Sequence, residues 1–135
     1  MDRPASVIIS LSEATGLVKN TFRDYTAMLL SKNSPRLSFM KNSLDFDCTE
    51  YLSQMLTEMF ADRGIPEVVG GTSASTQLLI SAGLERRFAA PLTLQVYRVI
   101  LSVLTNFFPD LVLGENCGYS FDMCSEYDVF ITPPQ

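Results

Sequence analysis

The sequence contains no histidine and no tryptophan. Histidine is the commonest general base near neutral pH and a frequent zinc ligand, so its absence excludes Ser-His and Cys-His nucleophile systems and imidazole metal sites. The 3 cysteines lack C-x-x-C spacing, which predicts neither a zinc ribbon nor a disulfide framework. These absences favour a protein that is not an enzyme and that requires no metal and no cofactor.

Basic residues are missing from one part of the chain. All 10 Lys and Arg residues lie before residue 99, whereas the sequence as a whole carries 15 Asp and Glu residues and a net charge of −5. Residues 1–98 are balanced, so the C-terminal segment, residues 99–135, holds the entire negative excess. A surface of one sign requires a counter-charge, which a partner, a bound cation or another part of the molecule supplies.

Neither a secretory signal nor a membrane span is predicted. The apolar run at residues 7–9 is too short for the h-region of a signal peptide. Residues 92–113 are long enough to cross a bilayer, but they contain Gln95, Arg98 and Pro109, so we interpret them as a buried helix. The protein is expected to be intracellular or within a virus particle, and not secreted through a signal peptide.

Two capping patterns predict where the first two long helices begin. Ser10 and Glu13 form an S-x-x-E capping box, and Asp47 with Glu50 repeats the spacing. The second helix is expected to run to about Arg63. The first should bury a face of apolar residues spaced three and four apart, namely Leu11, Ala14, Val18, Phe22, Tyr25 and Leu29.

The remaining pattern predicts an α+β fold. We expect a helix over residues 76–88 and a central, largely buried helix over about 91–107, with Pro91 in its first turn. Residues 6–10 and 111–113 are candidate strands, and alternation over 119–123 and 127–131 predicts a hairpin turning at 124–126. The chain is thus predicted to be a single domain, residues 1–135, with three to four helices around the central one. A small antiparallel sheet comes from the C-terminal strands; an all-α bundle is the alternative.

Two charged blocks are the candidate binding surfaces. Residues 19–41 have a net charge of +4, because five basic residues face only Asp24. If the blocks lie on opposite sides of the fold, copies would attract head to tail; if they lie side by side, they neutralise each other within one monomer. The basic block is Lys19, Arg23, Lys32, Arg36 and Lys41, and the acidic block is Asp110, Glu115, Asp122, Glu126 and Asp128.

Residues 11–25 carry a second candidate site. A small residue, Ser12, is followed by Gly16, Leu17, Phe22 and Tyr25 at fixed spacings. This pattern resembles the helix-turn-helix of bacterial repressors. The resemblance implies that some of the intervening residues face the DNA major groove. The same residues also fit one unbroken amphipathic helix. The groove-facing residues would be Val18, Lys19, Asn20, Thr21 and Arg23.

A third possibility is a small enzyme or ligand-binding site at the C-terminal carboxylates. Asp122, Glu126 and Asp128 are close in sequence, but they lack the ligand spacing of an EF-hand calcium-binding loop. Cys117 and Cys124 match no metal-site spacing, and we interpret them as packed, inert thiols. A pocket lined by these carboxylates would be needed to support the possibility.

These observations favour a non-enzymatic structural or assembly subunit that acts through protein–protein contacts. Its partners would be other protein subunits in a homo- or hetero-oligomer, and a viral or phage particle is one possible setting. A DNA-binding regulator with a helix-turn-helix at residues 11–25 is the alternative, and nucleic acid is a partner only in that case. No membrane partner is expected.

Overall fold

The computed structural model describes residues 6–32, 46–61, 73–114, 117–124 and 128–134. Within these ranges the fold is α+β, as predicted, with four helices and a small antiparallel sheet. The elements in chain order are β1 (Val7–Ser10), α1 (Leu11–Ser31), α2 (Cys48–Phe60), α3 (Ala74–Ser81), α4 (Arg86–Phe107), β2 (Ser120–Met123) and β3 (Asp128–Thr132).

Both predicted helix starts are confirmed. The Ser10 hydroxyl accepts a hydrogen bond from the Glu13 N–H at 3.3 Å, and Asp47 Oδ1 accepts one from the Glu50 N–H at 3.0 Å. Each bond satisfies a backbone donor that the first helical turn leaves unpaired. Helix α2 ends at Phe60, earlier than the predicted end at Arg63, which lies outside the described residues.

The helix-turn-helix interpretation of residues 11–25 is wrong. Helix α1 continues without a turn from Leu11 to Ser31, and Gly16 is not among the described glycines with positive φ. Val18, which the resemblance assigned to the DNA groove, is fully buried. It shares one stripe with Phe22 and Tyr25, both also buried. The spacing of these residues therefore reflects the buried hydrophobic face of one continuous helix.

The predicted helix over residues 76–88 is also wrong, because α3 ends at Ser81. Gly83 adopts a φ of 111°, and the N–H of Leu84 bonds to the Leu79 carbonyl at 3.1 Å. This is a Schellman C-terminus, which a glycine in the left-handed region makes favourable. Helix α4 therefore begins at Arg86, and Pro91 lies inside it rather than in its first turn.

Helix α4 is the central helix, as predicted, and it packs against α1 and α3. It runs antiparallel to α1: the Tyr25 hydroxyl, late in α1, donates to the Phe88 carbonyl, early in α4, at 3.0 Å. At the other end, Ala14 and Leu104 line the same cavity. By length and composition alone α4 also qualifies as a candidate membrane span, a test that core helices of soluble proteins pass as well.

The sheet has the strand order β1-β3-β2, with both pairings antiparallel. The predicted antiparallel pairing of β2 with β3 is confirmed, although residues 125 and 126 of the predicted turn lie outside the described residues. The N-terminal strand β1 pairs with the other edge of β3. Residues 111–113 form no strand. Ile9, Val129 and Ile131 are buried against the helices, while Ile8 and Phe130 project from the opposite face, since successive residues of a strand alternate.

Candidate functional site

A buried carboxylate organises a polar network in the helical core. Glu58, in α2, is only 2% exposed. Its Oε1 accepts the N–H of Ser75 at 2.9 Å and its Oε2 accepts the Ser75 hydroxyl at 2.7 Å. Gln54 Nε2 also donates to Oε1, at 3.4 Å. Because Ser75 lies in the first turn of α3, the carboxylate satisfies donors at the positive end of that helix.

Hydroxyl groups extend this network into α4. The Ser73 hydroxyl donates to Thr76 Oγ1 at 2.7 Å, and Thr76 Oγ1 donates to Thr93 Oγ1 at 3.1 Å. The Tyr51 hydroxyl donates to the same Thr93 oxygen, also at 3.1 Å. Burial raises the pKa of Tyr51 well above its ordinary value, despite this hydrogen bond. The network thus joins α2, α3 and α4 through mutually satisfied groups, an arrangement suited to fixing how helices pack.

This network was not predicted from the sequence, although a signal for Glu58 was present. Glu58 follows Tyr51 by seven positions and Met55 by three, which places it on the buried face of α2. Thr93 likewise lies within the largely apolar α4. A charged residue on an apolar helical face indicates a buried partner, because an unpaired buried charge is very costly.

The described members of the acidic block lie at the end of the molecule that carries the sheet. Asp122 is exposed on β2, and Asp128 pairs with Ser10, the residue that caps α1. Asp110 is exposed just after α4 and close enough to Tyr119 to contribute, after burial, to raising the pKa of that phenol. Glu13, in the first turn of α1, adds a further acid, while Glu115 and Glu126 lie outside the described residues.

The described members of the basic block follow α1 away from the sheet. Lys19, Arg23 and Lys32 are all exposed, whereas Arg36 and Lys41 lie outside the described residues. Lys32 caps the C-terminus of α1. Since α4 is antiparallel to α1, its first residues, Arg86 and Arg87, lie towards this same end.

Lys32 is therefore separated from the acidic block by the length of α1, whereas Lys19, eight residues after Leu11, lies only about 12 Å along the helix. A helix of 21 residues is about 31 Å long, so Lys32 and the sheet lie at opposite ends of that length. The separation is incomplete at the basic end. Lys19 lies near Cys48, where it partly offsets the rise in thiol pKa caused by burial, and Asp47 and Glu50 are in the same region.

The three cysteines lie at different depths in the structure. Cys48 is buried, Cys117 is half-buried and Cys124 is exposed, and all three are free thiols. The Cys117 thiol donates to the Phe60 carbonyl at 3.2 Å. Within the described ranges no group of three His, Cys, Asp or Glu residues is placed to hold a metal ion.

An apolar cavity of about 20 Å³ lies between the inner face of the sheet and the helices. Its lining includes Ala14, Leu52, Ile100 and Val129, and no carboxylate of the acidic block contributes to it. Asp122 points away from this cavity, on the exposed face of the sheet, because it shares a row with exposed Phe130. The cavity therefore lends no support to a ligand site built on the C-terminal carboxylates.

Comparison with protein-family models, with curated proteins and with solved structures returned no match to this chain.

Proposed function

We propose that the chain is a non-enzymatic structural or assembly subunit that acts through protein–protein contacts. Its acidic, sheet-bearing end and its basic end, at the C-terminus of α1, set the orientation in which subunits meet. The observation that carries this proposal is the separation of Asp122 and Asp128 from Lys32 along the length of α1. A place within a viral or phage particle stays a prediction of the sequence analysis.

Distance makes neutralisation within one monomer inefficient. Exposed charges interact weakly beyond the Debye length, which is about 8 Å at physiological ionic strength, and the two ends are separated by several times that length. Among the described residues, Asp110, Asp122, Arg23 and Lys32 take part in no salt bridge. Arg87 and Glu85 do form one, at 2.7 Å, but both belong to the basic end. Subunits in contact would supply the counter-charges that the ends lack.

The buried polar groups support a structural role as well. Glu58, Tyr51 and Thr93 are engaged with other groups of the core, and they lie beneath the surface. Their geometry stabilises the packing of α2, α3 and α4. The Ser75 hydroxyl that donates to Glu58 is buried together with its acceptor, whereas covalent catalysis requires a nucleophile and base that a substrate can reach.

The test is the mass of the protein in solution as a function of salt. Light scattering after size-exclusion chromatography should give a mass above the 15.0 kDa of one chain at low salt. That mass should fall towards the monomer at high salt, because screening weakens contacts between opposite charges. A hetero-oligomer should show the same salt dependence with its partner subunit.

A pair of variants with equal charge change tests the role of the acidic end. Replacing Asp110 and Asp122 by Asn should weaken assembly at low salt. Replacing Asp24 and Glu50, exposed acids away from the sheet, by Asn and Gln should leave it intact. A monomer under every condition, with no partner subunit recovered, contradicts the proposal.

A further inference from the structure

We infer that the outer face of the sheet binds one stripe of α1 in a second copy of the chain. The outer sheet face is defined by Ile8, Phe130 and Asp122, and the α1 stripe by Lys19, Arg23 and Leu30. This inference rests on the proposed assembly function and names the two surfaces through which copies would meet.

The outer sheet face combines apolar and acidic groups. Phe130 pairs with Ile8 on one side and with Asp122 on the other, so the three residues form one row across the strands. Ile8 is 60% exposed and Phe130 is 36% exposed. When a partner covers two adjacent large apolar side chains, the burial of their surface from water stabilises the complex.

The α1 stripe carries the complementary combination. Residues 19, 23 and 30 lie within about 40° of one another around the helix, because each residue turns the chain by about 100°. Leu30 is 39% exposed, and Lys19 and Arg23 are exposed as well. An apolar side chain is thus followed, towards the helix N-terminus, by two cations.

The spacings of the two surfaces match. Arg23 and Leu30 are separated by about 10 Å along the helix, since seven residues each add about 1.5 Å. Ile8 and Asp122 are two strand spacings apart, which is also about 10 Å. With Leu30 packed on Ile8 and Phe130, Arg23 therefore reaches Asp122.

These surfaces cannot meet within one chain. Helix α1 begins directly after β1 and leads away from it, so Arg23 and Leu30 lie roughly 20–30 Å from the sheet of their own molecule. The α1 stripe of a second copy carries both the apolar side chain and the cations that complement the outer sheet face. A second copy is therefore the proposed occupant. Such a contact joins two different surfaces, and it builds a ring or a filament.

Charge reversal on each surface tests the contact. Asp122→Lys and Arg23→Glu should each weaken self-association by about tenfold or more, measured by sedimentation velocity. A mixture of the two variants should recover association, because the first retains the α1 stripe and the second retains the outer sheet face. The second contact should form as well, since the lysine introduced on one sheet face and the glutamate introduced on the other α1 stripe attract each other.

Matched controls distinguish this contact from a general effect of charge or surface polarity. Glu50→Lys and Arg98→Glu make the same charge changes at exposed positions outside the two surfaces, and they should disturb association less. Ile8→Ser should weaken association, whereas Val112→Ser, at a residue 69% exposed and outside the sheet, should not. Circular dichroism should show that each variant is folded.

Three outcomes would overturn the inference. Salt-sensitive assembly that survives Asp122→Lys and Arg23→Glu would leave the proposed function standing and remove these surfaces. Association that strengthens with salt and with Asp122→Lys would indicate contact between two outer sheet faces instead. A folded monomer at every salt concentration would contradict the contact between copies. If, in addition, no partner subunit were recovered, the proposed assembly function would be contradicted too.

Discussion

Ser75 donates two hydrogen bonds to Glu58, one from its backbone N–H at 2.9 Å and one from its hydroxyl at 2.7 Å. The two residues belong to different helices, so this pair fixes the N-terminus of α3 against the side of α2. Both oxygens of a buried carboxylate are used. Such bonds to a charged group are stronger than neutral ones.

Glu58→Ala should lower the free energy of unfolding by about 3 kcal/mol, because it leaves the two Ser75 donors without their acceptor. Glu58→Gln should cost less, since the amide keeps one acceptor oxygen. Urea unfolding followed by circular dichroism measures both changes. Glu50→Gln, at an exposed position in the same helix, is the control and should change stability by less than about 0.5 kcal/mol.

Stability should decline in alkali, and Tyr51 should account for much of that decline. Burial raises the pKa of Tyr51 in the folded state above its ordinary value of 10.0. The folded state therefore favours the protonated phenol, and this contribution is complete below pH 10 and is lost as pH rises further. Tyr51→Phe should flatten the dependence of unfolding free energy on pH above 10, at a cost of about 1 kcal/mol for the lost bond to Thr93. An unchanged slope would contradict the assignment to Tyr51.

Two glycine substitutions should have opposite effects. Gly83→Ala should destabilise the protein by about 1–2 kcal/mol, because a φ of 111° is unfavourable for a residue with a Cβ atom. Gly16→Ala should stabilise it by up to about 1 kcal/mol, since Gly16 lies inside α1 and an added Cβ meets nothing within 4 Å. Thermal unfolding of both variants measures the difference. Destabilisation by Gly16→Ala would indicate that α1 is interrupted there.

The three thiols should react with iodoacetamide in the order of their exposure. Cys124 is exposed and should react first, followed by half-buried Cys117. Cys48 is buried, and burial raises the pKa of its thiol, so it should react only when the protein unfolds. Peptide mass spectrometry after timed labelling gives the three rates. Rapid labelling of Cys48 in the native protein would contradict its place in the core.

Local signals made much of the fold predictable. The Ser10 and Asp47 caps depend on residues three positions away, and the buried stripe of α1 depends on steps of three and four. The end of α3 was missed because Gly83 competes with a helical pattern that continues on either side of it. Pairing of β1 with β3 was not predicted, since no local pattern shows which distant strand will lie beside residues 7–10.

The candidate surfaces were predictable only in part. Charge segregation identified Asp122 and Arg23, because net charge can be counted along the chain. The apolar contribution of Ile8 and Phe130 depends on which face of the sheet packs on the helices, and this follows from tertiary structure. Glu58 was overlooked because a glutamate on a helix is normally solvated, and its partner Ser75 is in another helix.

The position of β3 between β1 and β2 has a consequence for biosynthesis. During translation β1 emerges from the ribosome first, but its pairing strand is made only after α1–α4 and β2. Until then Ile9 has no strand beside it and β2 has no neighbour on either edge. The sheet is therefore the most non-local part of the fold, and its closure is expected to be the late event of folding.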